Sequence, residues 1–353
     1  MSNKKFLRIV LISIIFIISF IGIVNYIVDP LWLFNHSNKL NQKQGSYDER
    51  QLKTNYLYYK IKKDFDGILL GSSRATYINQ NDFGNMNIFN YSAGAMMPFE
   101  YRDFIDFAKK VKGTKLKYII IGFDFFGTNT IDEKKRLNPK FYIDNTINFS
   151  RYKFLFSIDT FNKSIKNIRY SLIGRDMYYD RKAIKYKNII TKEELLKNYN
   201  SSIKEQTRIL SYPNYKYNEN YINILETIKN ENPDTEFIVY TSAVTSDLLV
   251  SIIKNGKRWE EYKRWLYELI EVFGEVNHFM TINSITKNLE NYFDDNHAYP
   301  STLKLIANKL AKVENKDFPE DFEILLTKNN VDKYLENLKE QIEKYNLSEN
   351  LKN

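Results

Sequence analysis

The chain has no cysteine and only three histidines among its 353 residues. The absence of cysteine excludes disulfide bonds, a cysteine nucleophile and thiolate metal sites. Three scattered histidines do not make a zinc site on their own. The sequence also lacks internal repeats, proline-rich segments and a glycine-rich phosphate loop. It therefore predicts neither a metal nor another cofactor.

The composition is that of a folded protein, with 43% hydrophobic and 27% charged residues. The net charge is +9, which favours anionic partners such as anionic lipid or a cell-wall polymer. The basic residues are spread along the chain among acidic ones and do not form the clustered stripe expected of a nucleic-acid-binding protein. We expect most of this charge to lie on solvated surface, and we expect no nucleic-acid partner.

One long uncharged run, residues 9–28, stands near the N-terminus. A helix of about 20 residues spans roughly 30 Å, the thickness of the apolar layer of a membrane. Lys4, Lys5 and Arg8 precede the run, so residues 1–8 are expected in the cytoplasm. The sequence thus predicts a single-pass anchor in the cell membrane, with the chain extracytoplasmic from Asp29 onward.

A cleavable signal peptide is the alternative interpretation of this run. Signal peptidase needs a shorter apolar region followed by small residues. Here the run ends in Asn25-Tyr26-Ile27-Val28, which offers no such site. The sequence favours an uncleaved anchor.

Strands and helices alternate along the extracytoplasmic part, which predicts an α/β fold with a mostly parallel sheet of about five strands. A polar connector at 29–64 precedes an α/β domain at 65–316, which is interrupted by an insertion at about 127–215 that has no recognisable motif. A helical tail at 317–353 follows. The predicted strands are 66–70, 87–91, 118–123, 236–240 and 278–282, and the predicted helices of the α/β domain are 98–111, 217–230, 246–255, 258–272 and 301–313.

Two short motifs carry the candidate chemistry. Gly71-Ser72-Ser73-Arg74 directly follows an apolar strand, and Asp294-Asp295-Asn296-His297 comes more than 200 residues later. A serine nucleophile needs a base to take its proton, and the base needs a carboxylate to fix its tautomer. Each motif alone is more often a plain turn, but together they supply Ser73, Asp294 and His297 as a predicted catalytic triad.

Several neighbouring residues have open roles at this stage. Asp295 is the alternative carboxylate, although the i, i+3 spacing favours Asp294. Arg74 is a candidate for binding an anionic part of a substrate, and a simple ion pair is the competing interpretation. His36 and His278 are expected to be structural or solvated.

These motifs resemble those of the SGNH hydrolase superfamily, and more narrowly its membrane-anchored branch in bacterial cell-surface acylation. That branch includes the alginate O-acetylation proteins and the D-alanyl transfer protein of lipoteichoic acid synthesis. The resemblance covers the anchor, the two motifs above, the loop Asn90-Tyr91-Ser92-Ala93-Gly94 and the strand that begins at Ile119. It implies a three-layer α/β/α sandwich, flavodoxin-like, with Ser73 as nucleophile beside Asp294 and His297.

The resemblance also implies an oxyanion hole, and here the sequence departs from the family pattern. The backbone N–H groups of Ser73 and Gly94 are the expected donors. The superfamily carries a further donor, an asparagine, in its third block. This chain reads Gly122-Phe123-Asp124-Phe125-Phe126-Gly127 there, and Asn129 is only a weak match.

The function implied by the resemblance is serine O-acyl transfer, with acetyl as the expected group, onto a cell-surface polysaccharide or teichoic acid. A multi-spanning membrane-bound O-acyltransferase would be the partner that delivers the acyl group. The first alternative is a carbohydrate esterase with the same triad. The second is a non-catalytic scaffold or polymer-binding subunit, which the missing asparagine favours.

Overall fold

The computed structural model describes residues 2–45, 48–147 and 150–347. The chain divides into two compact units. Residues 1–63 and 139–186 form unit 1, and residues 64–138 and 187–353 form unit 2. The connector predicted at 29–64 thus belongs with the anchor and with the middle of the predicted insertion, whereas both ends of that insertion belong with the sheet.

Eight strands occur in the described ranges. They are β1 Gly67–Leu70, β2 Ile88–Asn90, β3 Tyr118–Phe123, β4 Met177–Tyr179, β5 Lys185–Lys187, β6 Glu236–Thr241, β7 Glu275–His278 and β8 Ile324–Thr327.

Fourteen α-helices occur in the same ranges, and short 3₁₀ or π turns lie between some of them. The helices are α1 Asn3–Val28, α2 Glu49–Tyr56, α3 Pro98–Lys112, α4 Thr130–Glu133, α5 Lys140–Ile147, α6 Ser150–Leu155, α7 Ile158–Ile173, α8 Lys192–Ile209, α9 Tyr221–Asn230, α10 Ser246–Lys254, α11 Trp259–Phe273, α12 Ser284–Lys287, α13 Pro300–Leu310 and α14 Val331–Lys344.

Unit 2 contains a mixed sheet of six strands in the order β2-β1-β3-β6-β7-β8. The first five strands in this order pair in parallel, and β8 pairs antiparallel with β7. The central strands β1 and β3 are almost wholly buried, as expected from their continuous apolar sequences. The prediction of an α/β fold with a mostly parallel sheet is confirmed.

The prediction of about five strands is wrong because the tail adds a sixth. Residues 317–353 were predicted to be helical, and α14 confirms the helix there. The short run Ile324-Leu325-Leu326 instead forms β8 against the edge of β7. An apolar run this short can be either strand or helix, and only its pairing with β7 decides between them.

The last predicted strand is displaced by three residues. The prediction was 278–282, whereas β7 spans Glu275–His278. The strand alternates exposed or half-buried Glu275 and Asn277 with buried Val276 and His278. That half-polar pattern is typical of a strand near the edge of a sheet. The residues that follow it are more apolar, and the prediction placed the strand on them.

Unit 1 contains α1, the one helix in the described ranges that is long and apolar enough to cross a membrane. The helix ends at Asp29, which adopts a left-handed conformation and accepts a hydrogen bond from the backbone of Leu33 at 2.7 Å. Arg181 pairs with the same carboxylate at 2.7 Å. The end of the anchor helix is therefore fixed by a buried ion pair.

Candidate active site

Ser73 lies in the turn that directly follows the carboxyl end of β1. Gly71 begins this turn, and a Cβ atom there would lie 2.8 Å from the Cβ atom of Ala75. Only glycine fits that close approach. Ala93 donates its backbone N–H to the Gly71 carbonyl at 3.1 Å. The turn is thus tied to the loop after β2, and Ser73 sits at the edge of the sheet where the parallel strands end.

The Asp294–His297 segment is held at the same edge. Thr245 follows the carboxyl end of β6 and donates both its backbone N–H and its hydroxyl to the Asp295 carbonyl, at 3.1 and 2.8 Å. Phe293 donates its N–H to the His297 carbonyl at 3.1 Å, which closes the segment into a tight loop. In open α/β sheets, the carboxyl ends of the strands are where ligands bind.

Ser73, His297 and Asp294 form a continuous hydrogen-bonded chain. The Nε2 atom of His297 lies 2.8 Å from the Ser73 hydroxyl, and Nδ1 lies 2.7 Å from Oδ2 of Asp294. A carboxylate can only accept, so Nδ1 carries the proton and Nε2 is left to accept from the hydroxyl. Ser73 and His297 therefore lie within hydrogen-bond reach of each other, as a catalytic triad requires.

Asp294 is kept ionised by its surroundings. Burial on its own would raise the pKa of this carboxyl group. Its contact with His297 and the N–H groups donated to Oδ1 by Asn296 and His297, at 2.9 and 2.7 Å, lower the pKa below its ordinary value instead. The carboxylate is therefore charged where it faces the imidazole, as the orienting member of a triad must be.

Asp295 points away from the imidazole. Its Oδ1 atom accepts hydrogen bonds from the Ser202 hydroxyl and from Nδ2 of Asn296. Burial raises the pKa of Asp295, and the charge of Asp294 raises it further. The choice that the sequence left open between the two carboxylates is thus decided by geometry in favour of Asp294.

Aromatic rings fix the imidazole from two sides. The ring of Phe293 stacks on His297, with centroids 5.5 Å apart and planes inclined by 8°, and Tyr77 approaches edge-on at 6.2 Å. Packing of this kind limits rotation of the imidazole and preserves its alignment with Ser73.

Arg74 lines the cleft beside Ser73, but its charge is already paired. Its guanidinium donates to Asp124 at 2.7 Å and to Oδ1 of Asn296 at 3.4 Å, and it lies over the ring of Phe126. Both charged side chains are buried. Of the two interpretations of Arg74, substrate binding and a simple ion pair, the structure shows the ion pair.

Besides Ser73, the two other predicted oxyanion residues differ in position. Gly94 lies in the loop after β2, and Ala95, the next residue, lines the cleft with Ser73. Asn129 is buried, and its amide is used locally. Nδ2 donates to the Asn214 carbonyl at 3.0 Å, and Oδ1 accepts from the backbone of Ile131 and Lys216. The structure does not bring the Asn129 amide to Ser73.

The cleft has walls that the motifs did not predict. Besides the triad region it is lined by Asp132, Arg136, Gln206 and Ile209, all from the ends of the predicted insertion. Asn296 was quoted within the second motif without a role, yet it bridges Arg74 and Asp295 at the base of the site. Its position between Asp294 and His297 could have identified Asn296 as a residue of the site. The helix that carries Gln206 is mostly polar and gave no signal.

Neither of the other histidines belongs to this site. Nε2 of His36 lies 3.1 Å from the Ile27 carbonyl in unit 1. His278 is wholly buried in unit 2 and contacts the hydroxyls of Thr241, Tyr262 and Tyr334 at 2.8–3.0 Å. Burial lowers the pKa of His278 to about 3.

We expect His278 to weaken the fold as the pH falls. An unfolded histidine binds a proton below about pH 6.5, whereas His278 stays neutral in the folded state until about pH 3. Between these values the unfolded state binds more protons, and the free energy of unfolding falls by up to about 1.4 kcal/mol per pH unit from this group. His278→Gln should remove that slope in urea unfolding, while His36→Gln should keep it. Equal slopes for the wild type and His278→Gln would contradict this account.

Comparison with known proteins adds no family to these observations, since no family model and no curated protein matches the chain. Within the described ranges there is also no cluster of three or more histidine and acidic side chains placed to hold a metal ion. The chemistry of the site therefore has to be argued from its own residues.

Proposed function

We propose that this protein is a membrane-anchored serine O-acyltransferase of the SGNH type that acts on a cell-surface polysaccharide or teichoic acid. The observation that carries the proposal is the continuous contact from Ser73 through His297 to Asp294. The position of that contact at the carboxyl edge of a parallel sheet also supports it. The three-layer arrangement implied by the resemblance is part of the same proposal.

The proposed reaction passes through an acyl-serine. His297 takes the proton of the Ser73 hydroxyl as the oxygen attacks the carbonyl carbon of an ester or thioester donor. The carbonyl oxygen becomes an oxyanion, for which the backbone N–H groups of Ser73 and Gly94 are the proposed donors. Collapse of this intermediate expels the donor's leaving group, which receives the proton from His297. A sugar hydroxyl then attacks the acyl-serine while His297 takes its proton. The ester bond to Ser73 breaks, the sugar keeps the acyl group, and His297 returns the proton to the Ser73 oxygen.

The cleft favours a short and uncharged acyl group. Its volume is about 160 Å³, below the range of about 300–1,000 Å³ typical of small-molecule pockets. Arg74 pairs with Asp124, and Arg136 pairs with Asp132 at 2.9 Å, so these four charges cancel in pairs. A D-alanyl group would bring an ammonium that needs an unpaired carboxylate. We therefore propose acetyl as the transferred group.

The anchor sets the proposed location. With Lys4, Lys5 and Arg8 on the cytoplasmic side, the chain from Asp29 onward lies on the outer side of the membrane, where wall and capsular polymers are found. An extracytoplasmic enzyme has no access to cytoplasmic acyl donors unless the acyl group is exported. A multi-spanning membrane-bound O-acyltransferase is therefore the proposed partner.

An esterase is the second candidate, and one observation favours it. The side chains of His297 and Asp294 keep about a fifth of their surface exposed, at 20% and 23%. Water can therefore reach the acyl-serine unless an acceptor excludes it. Incubating the enzyme with an acetyl donor and short oligosaccharides would separate the two functions, since a transferase yields acetylated sugar and an esterase yields free acetate.

The direct test is covalent labelling of the full chain in detergent. We expect a fluorophosphonate probe to add once, at Ser73, and the adduct to be absent from Ser73→Ala and His297→Ala when intact mass and peptide mapping are compared. Acetyl esters should protect Ser73 from the probe, whereas long-chain acyl esters should not, because the cleft is small.

Ser72→Ala is the matched control, because Ser72 is the neighbouring serine and its hydroxyl accepts a hydrogen bond from the backbone N–H of Arg74, at 3.3 Å, and not from the triad. It should be labelled as the wild type is. A folded wild-type protein that takes no label would favour the scaffold interpretation over both enzymes.

A further inference from the structure

Helix α7 of unit 1 carries an apolar stripe that faces away from the unit's own interior. The stripe consists of Ile158, Phe161, Ile165, Ile168 and Leu172, spaced three or four residues apart. At about 100° per residue it is about 80° wide and runs the length of the helix. Ile158, Ile165 and Leu172 expose 65%, 48% and 66% of their surface. A folded domain in water rarely leaves so regular an apolar face uncovered.

A different side of α7, about 110° round the helix from the stripe, packs on the rest of unit 1. Thr160, Ser164 and Asn167 are buried there. The Ser164 hydroxyl donates to Asn25 of α1 at 2.9 Å, and Oδ1 of Asn167 accepts from the backbone of Gly45 at 2.9 Å. The orientation of α7 about its own axis is therefore fixed by polar contacts, and the stripe is held outward.

The stripe is continuous with the apolar surface of the anchor. Phe161 belongs to the stripe and packs against Phe20 of α1, with ring centroids 6.0 Å apart. Just above this contact, Nδ2 of Asn25 donates to the carbonyls of Leu155 and Ser157 at 2.8 and 3.1 Å, where α6 passes into α7. Whatever surrounds α1 near Phe20 therefore also borders the stripe.

The depth of these contacts identifies that surrounding. Val28 ends the helix, so at about 1.5 Å per residue Asn25 lies about 5 Å and Phe20 about 12 Å below its end. Helices that lie in a membrane surface bury their apolar face by about 5–10 Å. The contacts of Asn25 thus place the start of α7 at the depth of an interfacial helix, and the ring of Phe161 reaches slightly deeper, to Phe20.

The charges beside the stripe fit the same environment. Arg169 and Lys166 follow the stripe on its exposed side, and Lys163 lies farther round the helix. Basic residues beside an apolar face are typical of helices that bind anionic lipid headgroups. A soluble protein partner would not require the stripe to begin beside the apolar surface of α1, at the depth of the membrane surface.

We propose that α7 lies in the outer surface layer of the membrane, with its apolar stripe in lipid and its basic side chains among the headgroups. The inference rests on α1 spanning the membrane, as in the proposed function. Unit 1 would then be held at the membrane surface by two elements, the anchor across the bilayer and α7 along it.

The absence of cysteine makes the test direct, because single-cysteine variants of the full chain can carry an environment-sensitive fluorophore. Ile165→Cys and Leu172→Cys probe the stripe, and Asp159→Cys and Lys166→Cys probe exposed positions on the polar side of the same helix. Ile17→Cys probes α1. The protein is reconstituted into vesicles of phosphatidylglycerol and phosphatidylethanolamine, with doxyl groups on the acyl chains or iodide in the water as quenchers.

We expect the probes at Ile165 and Leu172 to shift their emission to the blue, to be quenched by doxyl and to lose quenching by iodide. The probes at Asp159 and Lys166 should respond to iodide. Iodide quenching of the stripe at the level of the polar side would overturn the inference. In that case the Ile17 probe separates two causes. If it lies in lipid, only the placement of α7 is wrong; if it does not, the membrane-spanning anchor is wrong as well. Fluorophosphonate labelling in the same vesicles reports separately on the proposed chemistry.

Discussion

Asp294→Asn is expected to slow the acylation of Ser73 by about four orders of magnitude, the scale of the effect when the carboxylate of a serine triad is replaced by an amide. An asparagine oxygen at Oδ1 can still accept from the backbone of Asn296 and His297, which keeps the loop folded. The amide nitrogen would then face Nδ1 of His297. The imidazole proton would move to Nε2, and the base could no longer accept from Ser73.

Asp295→Asn is the matched control, one residue away and with the same change of a carboxylate to an amide. Within the described residues, the Asp295 carboxylate is hydrogen-bonded to Ser202 and Asn296 and not to His297, and an amide oxygen can accept the same two hydrogen bonds at Oδ1. We expect this variant to acylate at nearly the wild-type rate. The measurement is the second-order rate of fluorophosphonate labelling, with thermal unfolding to show that both variants fold. Equal rates for the two variants would mean that Asp294 does not orient the base.

The sequence was most informative where one short segment contains all that the chemistry needs. The Asp294–His297 contact is local, because the carboxylate, the backbone N–H groups it accepts from and the imidazole lie within four residues. The position of Ser73 is local too, since an apolar strand followed by a glycine turn places the next side chains at the edge of a sheet. The remaining step, bringing Ser73 to His297, followed from the α/β pattern, which gathers the carboxyl ends of parallel strands at one edge.

The walls of the cleft could not be predicted in this way. Gln206 and Ile209 approach Ser73 through the folding of a long insertion, and the sequence around them has the polar pattern of a solvated helix. Asn129 illustrates the opposite error, a residue that the sequence suggested for the site and that the structure uses elsewhere. It matched a family position only loosely, and in the structure its amide serves a turn and a bridge to the segment around Asn214 and Lys216. Contacts between residues so far apart in the sequence depend on tertiary packing, and no local spacing of residues in the sequence predicts them.

The buried pair of Arg74 and Asp124 gives the second large expected effect, and it is one on stability. Arg74→Met removes the only charged partner that the described structure shows for the Asp124 carboxylate, which is about 3% exposed. Breaking one side of a buried ion pair costs about 3–5 kcal/mol, because the remaining charge stays buried without compensation. Urea unfolding of the full chain in detergent should show a loss of this size, and Asp124→Leu should show a similar loss.

The double variant Arg74→Met with Asp124→Leu separates pairing from packing. Once both charges are gone, no carboxylate or guanidinium is left buried alone, and apolar replacement of a whole pair is often close to neutral. We therefore expect the double variant to be more stable than either single variant, with a coupling energy of at least about 3 kcal/mol, because two single losses of about 3–5 kcal/mol would otherwise add. If Arg74→Met leaves the stability unchanged but raises KM for anionic donors, then Arg74 binds substrate and the ion pair is not its main role. The interpretation as an ion pair requires the reverse. Arg74→Met must lose stability, the loss must be rescued by Asp124→Leu, and its size must not depend on which acyl donor is present.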